Sequence, residues 1–209
     1  MTALRTLYVI ACGSPAARHV GRLVDLAQHD GWDVCVISTP DGVKFLDTSA
    51  LAQQTGHPVR YQYKSPDSPD LLPAADAMIV APATVNTINK WSAGIADTLA
   101  AGLLVEAVGL GLPLVAMPYT NTAMAAHPAF GESIARLRSW GVCVLYGDDV
   151  LRLHRPGAGE VSADQFPWEL PMLALTAMLT EPRPAPLIEE RPPAVPLAGG
   201  FADGSEIVG

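Results

Sequence analysis

Apolar residues fall into short unbroken runs separated by longer stretches in which they recur every third or fourth position. The short runs, at 7–11, 34–37, 77–80, 114–117 and 142–145, read as strands buried on both faces. The spaced stretches read as helices. In the first, 16–29, Val20, Leu23, Val24 and Ala27 share one face and Gly31 ends the element. Further helices are expected within 42–54, over 86–104, over 123–140 and over 171–179, with a short extended piece at 59–63. Residues 64–70, with two prolines, two serines and two aspartates, read as a loop. Strands alternating with helices predict an α/β fold: a three-layer Rossmann-like or flavodoxin-like parallel sheet with helices on both faces and right-handed crossovers.

The pattern fails near the C-terminus. Prolines crowd from Pro182 to Pro196 and are followed by Gly199-Gly200. This composition buries no face, so the expected organisation is one domain over 1–180 and a Pro-rich, disordered tail over 181–209. The 209 residues suit one domain and not two large ones.

Charge narrows the function. The 21 acidic against 13 basic side chains, a net charge of −8, oppose nucleic-acid binding, which needs cations to displace phosphate counterions. The longest apolar stretch, 95–114, is broken by Asp97, Glu106 and several glycines, and suits a buried helix and strand better than a membrane span. The N-terminal residues lack signal-peptide flanks. Cys12, Cys35 and Cys143 form no CxxC pair and lie in runs that read as strands; buried, reduced thiols of a cytoplasmic protein are expected, and no metal site is.

Ligands of open α/β sheets sit beyond the carboxyl ends of the strands. After the first strand, Cys12-Gly13-Ser14-Pro15-Ala16-Ala17 is a small-residue turn entering a helix: either a plain tight turn or a phosphate site built on backbone N–H groups and the Ser14 hydroxyl. After the second, Ser38-Thr39-Pro40-Asp41-Gly42 offers hydroxyls to a phosphate or sugar, or simply caps a helix. After the third comes Pro82-Ala83-Thr84-Val85-Asn86-Thr87, with Lys90, Gly94-Ile95 and Asp97-Thr98-Leu99 downstream.

That third segment resembles the Pro-Ala-Ser/Thr-X-Asn-Thr motif of the homo-oligomeric flavin-containing cysteine decarboxylases, and the resemblance extends over about 7–145. It implies FMN as cofactor and a homo-oligomer, commonly of trimers. By the same resemblance Gly13, Ser14, Ala16, Thr39 and Phe45 line the phosphate and ribityl side, where the turn also offers the Ser38 hydroxyl to the cofactor. Pro82, Ala83, Thr84, Asn86 and Thr87 frame the ring. A Pro-X-Met-Asn-X-X-Met stretch of the family reads Pro118-Tyr119-Thr120-Asn121-Thr122-Ala123-Met124 here. The resemblance makes Asn121 the holder of the substrate carboxylate; as plain structure it is a helix cap.

Three departures stand out. Cys12 replaces the usual Ser of the first loop, and Thr120 replaces Met. The catalytic His of the family, about sixteen residues before Thr84, falls on Ser68, a poor base at neutral pH. His127 is a candidate substitute near the flavin, with a surface or packing role as the alternative. The stretch 151–166 lacks the flap Cys of phosphopantothenoylcysteine decarboxylases, which argues against coenzyme A biosynthesis; there Arg152, His154 and Arg155 either meet an anion or form a solvated cluster. The expected substrate is a small-molecule or peptide-terminal carboxylate, decarboxylated oxidatively. Alternatives are FMN prenyl transfer and non-catalytic FMN binding.

Overall fold

In the computed structural model, residues 4–65, 67, 69 and 72–180 are described. Five strands, β1 (Thr6–Ala11), β2 (Asp33–Ser38), β3 (Ala77–Ala83), β4 (Leu114–Pro118) and β5 (Cys143–Val144), form one parallel sheet in the order β2-β1-β3-β4-β5. Alternation along each strand sends side chains to two separate cores. Leu7, Val9, Val34, Val36, Ile79, Val115 and Met117 meet α1 (Gly21–His29) and α8 (Glu169–Thr180) on one face. Tyr8, Ile10, Ile37, Met78, Val80, Leu114 and Ala116 meet α3 (Val85–Ser92), α4 (Leu99–Gly109) and α6 (Pro128–Ser139) on the other. This is the three-layer α/β architecture expected from the pattern.

The helices depart from it in instructive ways. Residues 86–104 do not form one helix: α3 ends at Ser92, Gly94 adopts φ 69°, and α4 restarts after the Thr98 cap, whose hydroxyl accepts from the Ala101 N–H at 3.2 Å. Residues 16–29 divide into a 3-10 turn, Pro15–His19, and α1. Residues 123–140 divide into α5 (Thr122–Ala125) and α6, with Pro128 opening the second. Within 42–54 lie a 3-10 turn, Gly42–Phe45, and α2 (Thr48–Thr55). The extended piece at 59–63 contributes one bridge, Ile37 to Arg60, and no strand. Strand β3 runs three residues past its expected end, through Pro82, because flanking backbone bonds hold it: Cys12 N–H to the Pro82 carbonyl at 3.1 Å and Tyr119 N–H to the Ala83 carbonyl at 2.8 Å.

Cys12 and Cys35 are buried free thiols, whereas Cys143, in the two-residue edge strand β5, is only half-buried. No helix among the described residues is long and apolar enough to cross a membrane. The tail assigned to 181–209 and Ser68 lie outside the described residues.

Candidate functional site

Beyond the strand ends lies a cavity of about 530 Å³ whose wall is assembled from four successive strand-to-helix connections and a later loop. It sits where β1 and β3, neighbours in the sheet, send their connections to opposite faces, the place where such folds take ligands.

The first two connections pack on each other. A Cβ on Gly13 would lie 3.0 Å from Asp41 Cβ and 3.2 Å from its carbonyl carbon, so glycine is what lets the turns close. Ser14 occupies the position that would cap the 3-10 turn, yet its side chain makes no capping bond. Thr39 Oγ1 accepts from the Gly42 N–H at 3.1 Å. Asp41 is held below the usual carboxylate range by its hydrogen bond and charge pairing with Lys44, 2.6 Å away.

In the third connection, Thr84 caps α3, its Oγ1 accepting from the Thr87 N–H at 3.4 Å and lying 3.1 Å from Thr87 Oγ1. Behind this pair sits Cys12, whose thiol is pushed up by burial, opposed by hydrogen bonding to Thr87 and Thr84. A neutral thiol there is a packing group that also supports the two hydroxyls. Lys90, one turn further on, reaches Asp97 at 2.5 Å across the helix break.

The fourth connection carries Tyr119, Thr120 and Asn121. Asn121 Oδ1 accepts from the Met124 N–H at 2.9 Å and so caps α5, as plain structure predicts. Its Nδ2 makes no hydrogen bond with the described residues, leaving a donor for a ligand. The later loop is tied to this connection. Asn121 and His154 form a parallel bridge, the Thr122 N–H donates to the His154 carbonyl at 2.9 Å, and the Tyr119 hydroxyl donates to the Gly159 carbonyl at 2.5 Å. Burial raises the Tyr119 hydroxyl, with Ser162 hydrogen bonding lowering and Glu160 raising it, so it stays a donor at neutral pH.

Gly13, Ser14, Thr39, Thr84, Asn86, Thr87 and Asn121, all expected from the sequence, line the cavity together. The other expected residues stand behind or beside its wall. Ala16 is buried in the 3-10 turn, and Pro82 and Ala83 lie within β3. The Ser38 hydroxyl is committed to the carbonyls of Ala11 at 3.3 Å and Thr39 at 3.0 Å. Phe45 packs under the Arg18 guanidinium, 5.4 Å from its ring centroid. His127 is exposed and outside the wall; its Nδ1 accepts from the Ala129 N–H at 3.2 Å, which makes it the cap of α6.

Sequence reasoning missed Thr98 and Ala101, which the break at Gly94 brings into the wall. The signal was present as Gly94 followed by a Thr98 cap within an apolar stretch. Thr120 was noticed without a role, and His154 was read as meeting an anion or as part of a solvated cluster; both line the cavity.

A model of the family described as Flavoprotein matches residues 1–165. The chain belongs to the flavoprotein family. Mouse (Mus musculus) phosphopantothenoylcysteine decarboxylase is 40% identical over 72 residues, 34% of this chain and 35% of the mouse protein. The coenzyme A biosynthesis bifunctional protein CoaBC of Mycolicibacterium smegmatis is 27% identical over 201 residues, 94% of this chain and 44% of that protein. This flavoprotein therefore spans less than half the length of either curated relative. Among solved structures, the FMN-dependent cysteine decarboxylase SpaF superposes with a TM-score of 0.57 at 25% identity, covering 68% of this chain and 83% of SpaF.

The cavity of this flavoprotein carries polar groups that a bound polar cofactor such as a flavin would satisfy. Among the described residues, four buried side-chain polar atoms lack a hydrogen-bond partner: Ser14 Oγ, Asn89 Oδ1, Thr120 Oγ1 and Trp168 Nε1. Two of them, Ser14 and Thr120, line the cavity. Buried polar atoms are rarely left unbonded, since each costs about 1–3 kcal/mol, so two hydroxyls on opposite connections mark the needs of a polar ligand.

Proposed function

We propose that the chain binds FMN in this cavity and uses it to decarboxylate oxidatively a cysteine-like substrate, either a small molecule or a peptide with a C-terminal cysteine. The observation that carries this reading is the pair of buried, unpartnered hydroxyls at Ser14 and Thr120 in the cavity wall of a flavoprotein-family chain. Ser14, with Gly13 and Thr39, would hold the phosphate and ribityl chain; Thr84, Asn86 and Thr87 would hold the ring. Thr120 and the free Nδ2 of Asn121 would bind the substrate carboxylate.

When bound, FMN supplies the two-electron acceptor. The substrate's CH₂–SH group gives up two electrons and two protons to become a thioaldehyde. The carboxylate carbon then leaves as CO₂, and the bonding pair left behind is delocalised into the C=S group as an enethiolate. The chain's part is to orient the carboxylate out of the molecular plane and to keep water from the site. Assembly as a homo-oligomer, by analogy a trimer, and a reducing cytoplasmic setting complete the reading; exposed Met124 at the cavity's wall and the free cysteines support them.

Purified protein loaded with FMN and mixed anaerobically with a Cys-terminated peptide should lose its visible flavin absorbance and release a product lighter by CO₂ and two hydrogens. The same peptide amidated at its C-terminus should release no CO₂, and native mass should report an oligomer. Tight FMN binding with no bleaching by any thiol would mark a non-catalytic binding protein, and failure to bind FMN at all would end the proposal.

A further inference from the structure

The residues that hold the proposed carboxylate leave open which group removes the thiol proton. Of the chain's five histidines only His154 lines the cavity. His19 pairs with Asp164 at 3.0 Å, His57 with Asp33 at 2.7 Å, and His127 caps α6.

The His154 ring is held on two sides. Its Nδ1 lies 2.9 Å from the Arg155 carbonyl oxygen. A carbonyl oxygen can only accept, so Nδ1 carries the hydrogen and the neutral ring presents Nε2 as a bare lone pair. The Tyr119 ring lies against it, centroids 5.0 Å apart at 39°, and Tyr119 in turn grips Gly159. A Cβ on Gly159 would approach the imidazole Cε1 to 3.4 Å and Nε2 to 3.6 Å, so glycine leaves that edge of the ring uncovered. Backbone bonding between Asn121 and His154 places the amide donor and the imidazole on adjacent connections. In a cysteine, carboxylate carbon and sulfur are separated by only two intervening carbons, so a substrate gripped by Asn121 carries its thiol toward the neighbouring connection. Tyr119 lies against the ring and Arg155 follows it in the loop; the other titratable and charged groups of the cavity wall are Asp41 and Lys90, and the Arg18–Glu160 pair joins the loop to the 3-10 turn.

We propose that His154 is the proton acceptor of this site, taking the substrate thiol proton at Nε2, a role that rests on the decarboxylation reading above. In the step the S–H bond breaks, its electron pair stays on sulfur, an Nε2–H bond forms, and the products are a thiolate and an imidazolium. No electron is transferred and no further reactant is needed.

The test compares FMN-loaded wild type, His154→Gln and His154→Ala with a Cys-terminated tripeptide under anaerobic conditions. Flavin bleaching should slow about 10²- to 10⁴-fold in both variants with FMN affinity unchanged, and the acid limb of the wild-type pH profile should vanish. Added imidazole should restore part of the rate to His154→Ala and none to His154→Gln. Independently of turnover, nitrogen NMR of the wild type should show hydrogen on Nδ1 and none on Nε2 of neutral His154. A variant that bleaches like the wild type with the same acid limb, an Nε2–H tautomer, or lost activity that imidazole cannot rescue overturns this role and leaves the decarboxylation reading standing. Wild-type protein that binds FMN but never bleaches overturns the reading, and this role falls with it.

Discussion

Single residues divide into those whose role their own type announced and those whose role came from distant chain. Ser14 is proposed for the first group: its turn read as either a plain tight turn or an anion site, and the structure leaves its hydroxyl buried and unbonded. Ser14→Ala should therefore leave the cofactor-free protein as stable as before or up to about 1 kcal/mol more stable, because an unsatisfied buried group is removed. FMN affinity should fall about tenfold to a hundredfold, the loss of one hydrogen bond to a charged group. Thermal melts without cofactor and a fluorescence titration with it read the two effects separately. Thr98 belongs to the second group, since nothing local distinguishes a cap that faces a cavity from one that faces solvent. Cys35 carries a pH prediction. Burial first, and the nearby Asp33 charge second, push its thiol up to about 12. The folded state then holds this proton more tightly than the unfolded chain, so stability is intact below the ordinary thiol range and drains away as pH climbs through it toward 12. At about pH 10.5 the loss should be ~2 kcal/mol relative to pH 8, in urea melts, over and above that of Cys35→Ala.

Elements were legible where one force set them and illegible where two competed. The five strands were located correctly, though β3 runs longer and β5 shorter than expected, because two buried faces leave an unbroken apolar run. The helix predicted across 86–104 was not, because its apolar residues continue through a stretch where Gly94 takes a left-handed conformation and reverses the chain. The same reversal carries Thr98 into the cavity wall, so misreading the element also hid part of the site. The turn after β2 shows how closely the site's elements approach. A Cβ on Gly42 would stand 2.5 Å from the Ala11 carbonyl oxygen, 2.6 Å from Ser38 Oγ and 2.9 Å from Thr39 Oγ1. Two of these atoms are anchored, one by backbone and one by buried bonds, so the turn itself must move. Gly42→Ala should cost about 1–3 kcal/mol and weaken FMN binding, since Thr39 loses its place. Gly131→Ala, inside α6 with open space around the new methyl group, should instead stabilise by about 0.5–1 kcal/mol. Opposite shifts of the two melting temperatures check the pair.

At the scale of the molecule, the question is where the folded unit ends. The family match stops at residue 165, but the core on the α1 face does not. Phe166, Trp168, Met172 and Leu175 are buried in it, Phe166 and Trp168 with ring centroids 4.5 Å apart, and α8 packs on α1, β3 and β4. The ion pairs that tie the preceding loop to the 3-10 turn, Arg18–Glu160 and His19–Asp164, lie within the family match, are partly to largely solvent-exposed and contribute at most about 1 kcal/mol each. Apolar burial therefore outweighs them: losing one large core side chain alone costs about 2–5 kcal/mol. α8 therefore belongs to the folded unit, and we propose that the domain runs to its end at Thr180. A chain cut after Thr180 should melt within a degree or two of the full chain and keep its FMN affinity. One cut after Gln165 forfeits five buried residues, Pro171 among them, and the cover of the sheet, more than the ~10 kcal/mol by which a domain of this size is stable, so it should fail to unfold cooperatively in urea. If the shorter chain instead melts like the longer one, α8 is an appendage and the unit ends where the family match does.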